Sequence, residues 1–214
     1  MKKLKVAAPV ATPVLQRAQG TDRSIAELAE ATRRLTMRRV RDLLPGKIAT
    51  KRLVLRAPIR GDVPDLMRLA DNKAIAEKLA RLPSPYTRAD AVGFVEIFSQ
   101  RADERPYAIA LDERLIGVIG FSFHDGRPPE LGYWLGEPFW GKGFLTEVGR
   151  ALIDAAHKTG HYQMIAARAL ADNAASLNVL EKLDFKRTGK AKSEASATLG
   201  KPILLLELQR PRWM

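Results

Sequence analysis

Glu137-Pro138-Phe139-Trp140-Gly141-Lys142-Gly143-Phe144-Leu145-Thr146-Glu147-Val148-Gly149-Arg150-Ala151-Leu152-Ile153 is the stretch whose reading decides the fold. From Phe144 onward, Phe144, Val148, Leu152, Ile153 and Ala156 recur at helical spacing as far as Gly160. Just before it, Leu131-Gly132-Tyr133-Trp134-Leu135 is strand-like. The whole therefore reads as strand, tight glycine turn, helix. A helix start has backbone N–H groups without partners and a positive dipole end. Gly141 and Gly143 would let a ligand come close to the backbone, and Lys142 adds charge. That is the physics of an anion site, above all for phosphate. Any strand-to-helix connection can also need glycine for its geometry alone. The turn is shorter than a dinucleotide fingerprint and lacks the Gly-Lys-Ser/Thr ending of a P-loop.

Upstream of this turn, Thr50-Lys51-Arg52-Leu53-Val54-Leu55-Arg56 alternates like a first strand. Residues 62–80 and 87–101 read as helices parted by Pro83 and Pro85. Tyr107 to Leu111 and Leu115 to Phe121 read as a hairpin, followed by a turn at Asp125-Gly126 into Glu130. Downstream come a strand over 163–169, a short helix over 173–183 and a last strand over 203–208. The basic, small-residue stretch 188–201 reads as a loop. This order implies a mixed α/β sheet with helices on both faces.

The 214 residues suit one domain with decoration, and 46% hydrophobic residues supply one core. With no cysteine, disulfides, thiolate zinc sites and acyl-cysteine intermediates are excluded. Of the net charge of +12, residues 1–50 carry +7, from 11 basic and 4 acidic residues. The body is thus only moderately basic, which suits an anionic ligand. No apolar run is long enough to span a bilayer. The basic start resembles a secretory signal, but Pro9 and Pro13 break its apolar run. No acid precedes Asp22, which leaves a mitochondrial presequence open; a bacterial cytoplasmic protein is the simpler expectation.

Residues 1–20 lack any period and read as a flexible arm. Ser24-Ile25-Ala26-Glu27 reads as a capping box opening a helix that Pro45-Gly46 stops. Ile25, Leu28, Ala29, Leu35 and Leu43 form its apolar stripe, and Arg33, Arg34, Arg38, Arg39 and Arg41 crowd its second half. A solvated basic face is one account of it. Contact with RNA, a ribosome or an acidic membrane surface is the other.

Taken together, these segments resemble the GNAT superfamily of acetyl-CoA-dependent N-acetyltransferases. Within it they are similar to the ribosomal-protein N-terminal-amine acetyltransferases. The resemblance covers residues 50–214. It rests on Thr50 to Arg56, on Leu131 to Leu135 leading into Trp140 to Glu147, and on Asn173-Ala174-Ala175-Ser176 through Glu181-Lys182-Leu183-Asp184-Phe185. Two departures stand out. Leu145 occupies a position where the superfamily has Gly or Ala, and Asp184 stands where it has glycine.

The resemblance implies a mostly antiparallel central sheet with helices on both faces. Residues 49–214 would form the acetyltransferase domain, and residues 1–48 an appended arm and helix. It implies acetyl-CoA as co-substrate, with no metal. The acceptor would be a protein N-terminus, or else a small amine or antibiotic; a homodimer is compatible with the pattern. Phosphates would lie on the amides of Gly141, Lys142, Gly143, Phe144, Leu145 and Thr146, behind Trp140. Backbone around Trp134 and Leu135 would face the thioester and the pantetheine arm. Asn173 would hold pantetheine amides or a water, although it also suits a plain helix cap. Ser176 or Tyr133 would reprotonate the leaving thiolate. Glu130, at the start of the strand before the turn, is the candidate base. His157 and His161 are four apart, but Gly160 interrupts the helix, so no metal pair is expected. The alternative class is a module that binds acyl-CoA or docks on the ribosome without turnover. A third reading is another enzyme of phosphate-bearing ligands.

Overall fold

The computed structural model describes residues 14–210, with side chains from Ser24 onward. Eight strands form one sheet in the order β1-β2-β3-β4-β5-β6-β8-β7. They are β1 (Lys47–Ala49), β2 (Val54–Arg56), β3 (Glu104–Leu111), β4 (Arg114–Ser122), β5 (Glu130–Leu135), β6 (Met164–Leu170), β7 (Lys186–Lys192) and β8 (Pro202–Gln209). Every neighbouring pair is antiparallel except β5 with β6.

The α-helices of the described residues are α1 (Val14–Asp42), α2 (Val63–Ala70), α3 (Lys73–Ala76), α4 (Arg88–Glu96), α5 (Phe144–Lys158) and α6 (Ala174–Lys182). Two clusters of buried side chains result. One joins Val148, Leu152 and Ala156 of α5 and Leu180 of α6 to Ile119, Ile165 and Leu206 of the sheet. The other sets Leu66 and Leu69 of α2 and Ala91 and Val95 of α4 against Ala108, Leu115 and Val118. Because side chains alternate across a strand, Ile119 and Val118 of one strand serve opposite cores. Leu152 is fully buried, and such a side chain contributes roughly 2 kcal/mol.

Four expectations are corrected. Helix α1 starts at Val14, so Ser24 lies inside it rather than at its cap, and residues 14–20 of the expected arm are helical. Residues 1–13 of that arm lie outside the described residues. Of the strand expected over Thr50 to Arg56 only Val54–Arg56 is strand, as β2; residues 50–53 form the turn from β1, where Thr50 and Arg52 reach across to α5. The helix expected over 62–80 breaks at Asp71-Asn72: Asp71 accepts from the Tyr86 amide at 3.1 Å, and Asn72 caps α3. The loop expected over 188–201 begins as β7, held by a ladder to β8 that backbone groups make whatever the composition. Its lysines suit an edge strand, where charge discourages pairing with other chains.

The hairpin β3–β4 turns on Asp112 and Glu113, both left-handed at φ 48° and 66°. This two-residue geometry prefers Asn-Gly. Glu113→Gly is expected to stabilise the fold by about 0.5 kcal/mol, relief of side-chain strain outweighing the added chain entropy. A higher urea midpoint at unchanged m would show it.

Candidate active site

Strands β5 and β6 share a single register pair, Glu130 with Ala166. Beyond it they part, and a gap opens along Leu131 to Leu135. The Gly136 amide donates to the Ile116 carbonyl at 2.9 Å. Antiparallel alternation then turns the Trp134 and Gly132 amides toward β4, and those of Tyr133 and Leu135 toward the gap. Of the two residues expected to offer backbone to a ligand, Leu135 has its amide turned toward the gap. At the other position the gap is edged by Tyr133 in place of Trp134, whose side chain packs with Phe139 against the second core.

At the end of the gap sits the glycine turn. Gly141 and Gly143 have φ of +73° and +74°, a left-handed backbone that a Cβ would strain. Gly143 is the N-cap of α5, so no side chain caps the helix, and its first amides remain open to an anion. Leu145 packs, partly buried, against the main core. Trp140 is 44% exposed, and its indole N–H donates to the Leu135 carbonyl at 2.6 Å. The Lys142 ammonium lies 5.6 Å from the Phe139 ring centre.

The turn is braced by Thr50 and Arg52, from a segment that the sequence reading made a first strand and gave no part in the site. Glu147, in the first turn of α5, accepts from the Thr50 hydroxyl at 2.6 Å, the Arg52 amide at 2.9 Å and the Arg52 Nε at 2.7 Å. Arg52 also donates to the Lys142 carbonyl at 3.0 Å and lies 4.5 Å over the Phe144 ring. Burial works to raise the Glu147 pKa, but the bonds from Thr50 and Arg52 outweigh it and hold the carboxyl below its usual range. The only hint in sequence was an acid in a first helical turn; its partners lie 95 and 97 residues away.

Across the gap, α6 presents Asn173 and Ser176. Asn173 is the cap of α6, its side-chain oxygen accepting from the Ser176 amide at 3.1 Å. The Tyr133 hydroxyl lies 3.0 Å from both the Ser176 hydroxyl and the Ser176 carbonyl. Two residues picked from separate motifs thus meet. Burial pushes the Tyr133 phenol up to about 12, against a smaller lowering by the Ser176 bond. An ordinary thiol titrates near ~8.5, so full proton transfer from this phenol to a thiolate is uphill by roughly 5 kcal/mol. In this structure the phenol donates its proton to the Ser176 carbonyl, beside the Ser176 hydroxyl.

Glu130 stands at the mouth of the gap with both carboxylate oxygens held by Arg168, one by Nε at 2.8 Å and the other by Nη2. Proton acceptance there requires Arg168 to yield an oxygen. In the same row of the sheet, Arg81 joins the buried Glu104 and Ser122, at 2.7 Å to each. A concavity of about 550 Å³ lies along the flank of α5. It touches Gly143 and Thr146 but not Tyr133, Asn173 or Ser176, so the strand gap is the candidate reaction site.

His157 does not serve this site. It is 3% exposed on the buried side of α5, and its Nε2 has no partner. Burial, then Arg210, lowers its pKa against a smaller pull from Asp154. As pH falls below its ordinary 6.5, the unfolded chain takes a proton that the folded one refuses, so stability should fall. His157→Leu is expected to flatten that part of the Tm–pH curve, leaving the carboxylate-driven loss at lower pH.

The described fold matches that of known proteins. The acetyltransferase (GNAT) domain family matches residues 52–186, and the chain belongs to that family. It is 31% identical over 105 residues to the uncharacterized N-acetyltransferase p20 of Bacillus licheniformis, covering 47% of this chain and 58% of that protein. To the ribosomal-protein-serine acetyltransferase of Escherichia coli K12 it is 30% identical over 95 residues, covering 44% and 52%. The chain spans about half the length of these curated relatives. Among solved structures, RimL, a ribosomal L7/L12 alpha-N-protein acetyltransferase in complex with coenzyme A, superposes with a TM-score of 0.68. At 23% identity over 76% of this chain and 97% of that one, it shows a shared fold. No described helix is long and apolar enough to cross a membrane.

Proposed function

We propose that residues 49–214 form an N-acetyltransferase domain, with residues 1–48 appended to it. It would move an acetyl group from acetyl-CoA directly to a primary amine, with a protein N-terminus as the acceptor. The observation that carries this is the conjunction of a one-pair β5–β6 ladder with an uncapped helix start and the Tyr133–Ser176 pair at the same gap. The residues fit the co-substrate: open amides with Lys142 suit its phosphates, and the free edge of β5 suits its amide-bearing arm. Acetyl-CoA supplies the acetyl group as a thioester.

The chain's own residues divide the remaining work. The amides of Gly141 to Thr146 bind the diphosphate, behind Trp140. Tyr133 and Leu135 amides and the Asn173 side chain orient the arm and its carbonyl. Tyr133 and Ser176 donate hydrogen bonds where thiolate charge develops. Glu130, once Arg168 yields an oxygen, receives the amine proton directly or through water. The names of the ribosomal-protein relatives support a protein acceptor. Small amines remain the second arm of the test.

Acetyl-CoA is expected to raise Tm where ATP and NAD do not, and thiol should then be released steadily with N-terminal peptides. Thiol release only with small amines would move the acceptor to that class. Binding without release for any amine would leave a coenzyme-binding module.

A further inference from the structure

The pleat of β5 sorts its side chains onto two faces. Leu131, Tyr133 and Leu135 point into the main core with α5 and α6, the side on which Tyr133 meets Ser176. Glu130, Gly132 and Trp134 alternate onto the other face, where Trp134 joins the core of α2 and α4. A leaving sulfur beside Tyr133 and an amine beside Glu130 would thus approach the β5–β6 gap from opposite faces of one strand. On the amine face Glu130 and Trp134 are partly buried. Gly132 between them is exposed, although it lies in the middle of an eight-stranded sheet.

Internal packing does not account for this glycine. In β4, a Cβ on Gly117 would press on the Trp134 carbonyl oxygen, and one on Gly120 on the Arg105 carbonyl oxygen, so the sheet needs glycine at both. A Cβ on Gly132 would meet nothing within 4 Å, and Gly132 has no left-handed φ to demand glycine. Glycine weakens a strand interior and is found there where a bend, a bulge or a close approach to the backbone requires it. The β4–β5 ladder runs without a register shift from Gly117 to Ser122, so there is no bulge at Gly132. No described atom beyond the neighbouring residues makes the close approach, which leaves that place to a ligand. Gly120 is the register partner of Gly132, so the floor of the opening is bare across two strands. Glu130 with Arg168, reaching over from β6, closes one end, and Trp134 closes the other. A group resting on this floor lies next to the Glu130 carboxylate and at the edge of the gap.

We infer that Gly132 determines acceptor specificity: the first residue of an incoming N-terminus lies over it, and the missing side chain gives that residue the room to bring its amine between Glu130 and the gap. This rests on the acetyl transfer proposed above and names the part of the acceptor that the site selects. A side chain placed at 132 and the first side chain of the acceptor would compete for one space. A larger residue at 132 should therefore restrict use to smaller first residues, without touching the coenzyme on the far side of the strand.

The test measures kcat/KM on the full chain for peptides identical except for a first Gly, Ser or Leu, with acetyl-CoA titration and Tm alongside. Gly132→Ala is expected to lower kcat/KM about tenfold for the Ser peptide, more for the Leu peptide and least for the Gly peptide. Gly132→Val should abolish use of the Ser and Leu peptides. In both variants the Kd for acetyl-CoA should stay as in the wild type, and Tm should hold or rise, because the added side chain suits a strand and meets no neighbour. Undiminished kcat/KM in Gly132→Val would overturn the inference, as would an equal loss for all three peptides. So would a weaker Kd for acetyl-CoA, or a lower Tm in both variants, which would return the glycine to the fold. Absence of thiol release by the wild-type chain with every peptide would instead remove the protein-acceptor reading itself, and this inference with it.

Discussion

Replacing Tyr133 with phenylalanine is expected to lower kcat by about a hundredfold while changing KM for acetyl-CoA little. The hydroxyl lies 3.0 Å from the Ser176 hydroxyl, and burial pushes its pKa up to about 12, so it keeps its proton at any working pH. A donor of that kind strengthens as charge develops on a leaving sulfur and contributes little to the ground state, which places its effect in kcat. Loss of a positioned donor typically costs ~10²-fold or more. Ser176→Ala leaves the phenol and the Ser176 carbonyl in place and should cost less. Because the two hydroxyls touch, their effects should not add. A double variant no slower than Tyr133→Phe would show that they act as one unit. Full kcat in Tyr133→Phe across pH, in a protein that still binds acetyl-CoA, would remove Tyr133 from the chemistry.

The second large effect is expected at Glu147, which touches no reacting atom. Its carboxylate takes three hydrogen bonds from Thr50 and Arg52, and its side chain is only 18% exposed. Arg52 is 42% exposed and can be rehydrated, so the sum of the separate bonds overstates the loss. Glu147→Ala is expected to cost about 2 kcal/mol, a fall in Tm of roughly 6 °C. Affinity for acetyl-CoA should fall about tenfold, because Arg52 also ties down the Lys142 carbonyl in the phosphate turn. The pH dependence has a definite sign. A carboxyl held below its ordinary 4.5 stabilises the fold above that pH, and the contribution is lost as pH falls through the lower folded value. Differential scanning calorimetry and ligand titration on Glu147→Ala and Arg52→Lys measure both parts. Wild-type affinity in a destabilised Glu147→Ala protein would separate the brace from the turn.

The legible features are those that neighbours in sequence produce. The glycine pair, the apolar repeat of α5 and the cap at Asn173 follow from backbone sterics and from bonds within a few residues, so they appear where the sequence reading placed them. The hairpin at Asp112-Glu113 was legible for the same reason. Asp184 was marked as standing where a glycine is usual, and it adopts the left-handed φ of 66° that such a position demands. The misread segments depend on partners that local pattern does not reveal. Residues 188–192 looked like loop because their composition is small and basic, yet β8 supplies a complete ladder partner. The stretch 62–80 looked like one helix because its apolar spacing continues. Distant Tyr86 rewards a break at Asp71.

From sequence alone, the strand, turn and helix of the candidate coenzyme site were determined, together with the family they resemble, because φ preferences, helix periodicity and unpaired helix-start amides are properties of short segments. Tertiary structure alone decided that Tyr133 meets Ser176, 43 residues on, and that Arg168, 38 residues on, occupies both oxygens of Glu130. It alone set Glu147 against Arg52, and it turned the apolar stripe of α1 outward. Such contacts are selected by the packing of the whole sheet and its two cores. Their physical cause is a competition among distant partners for the same donors and acceptors, and only the folded chain resolves it.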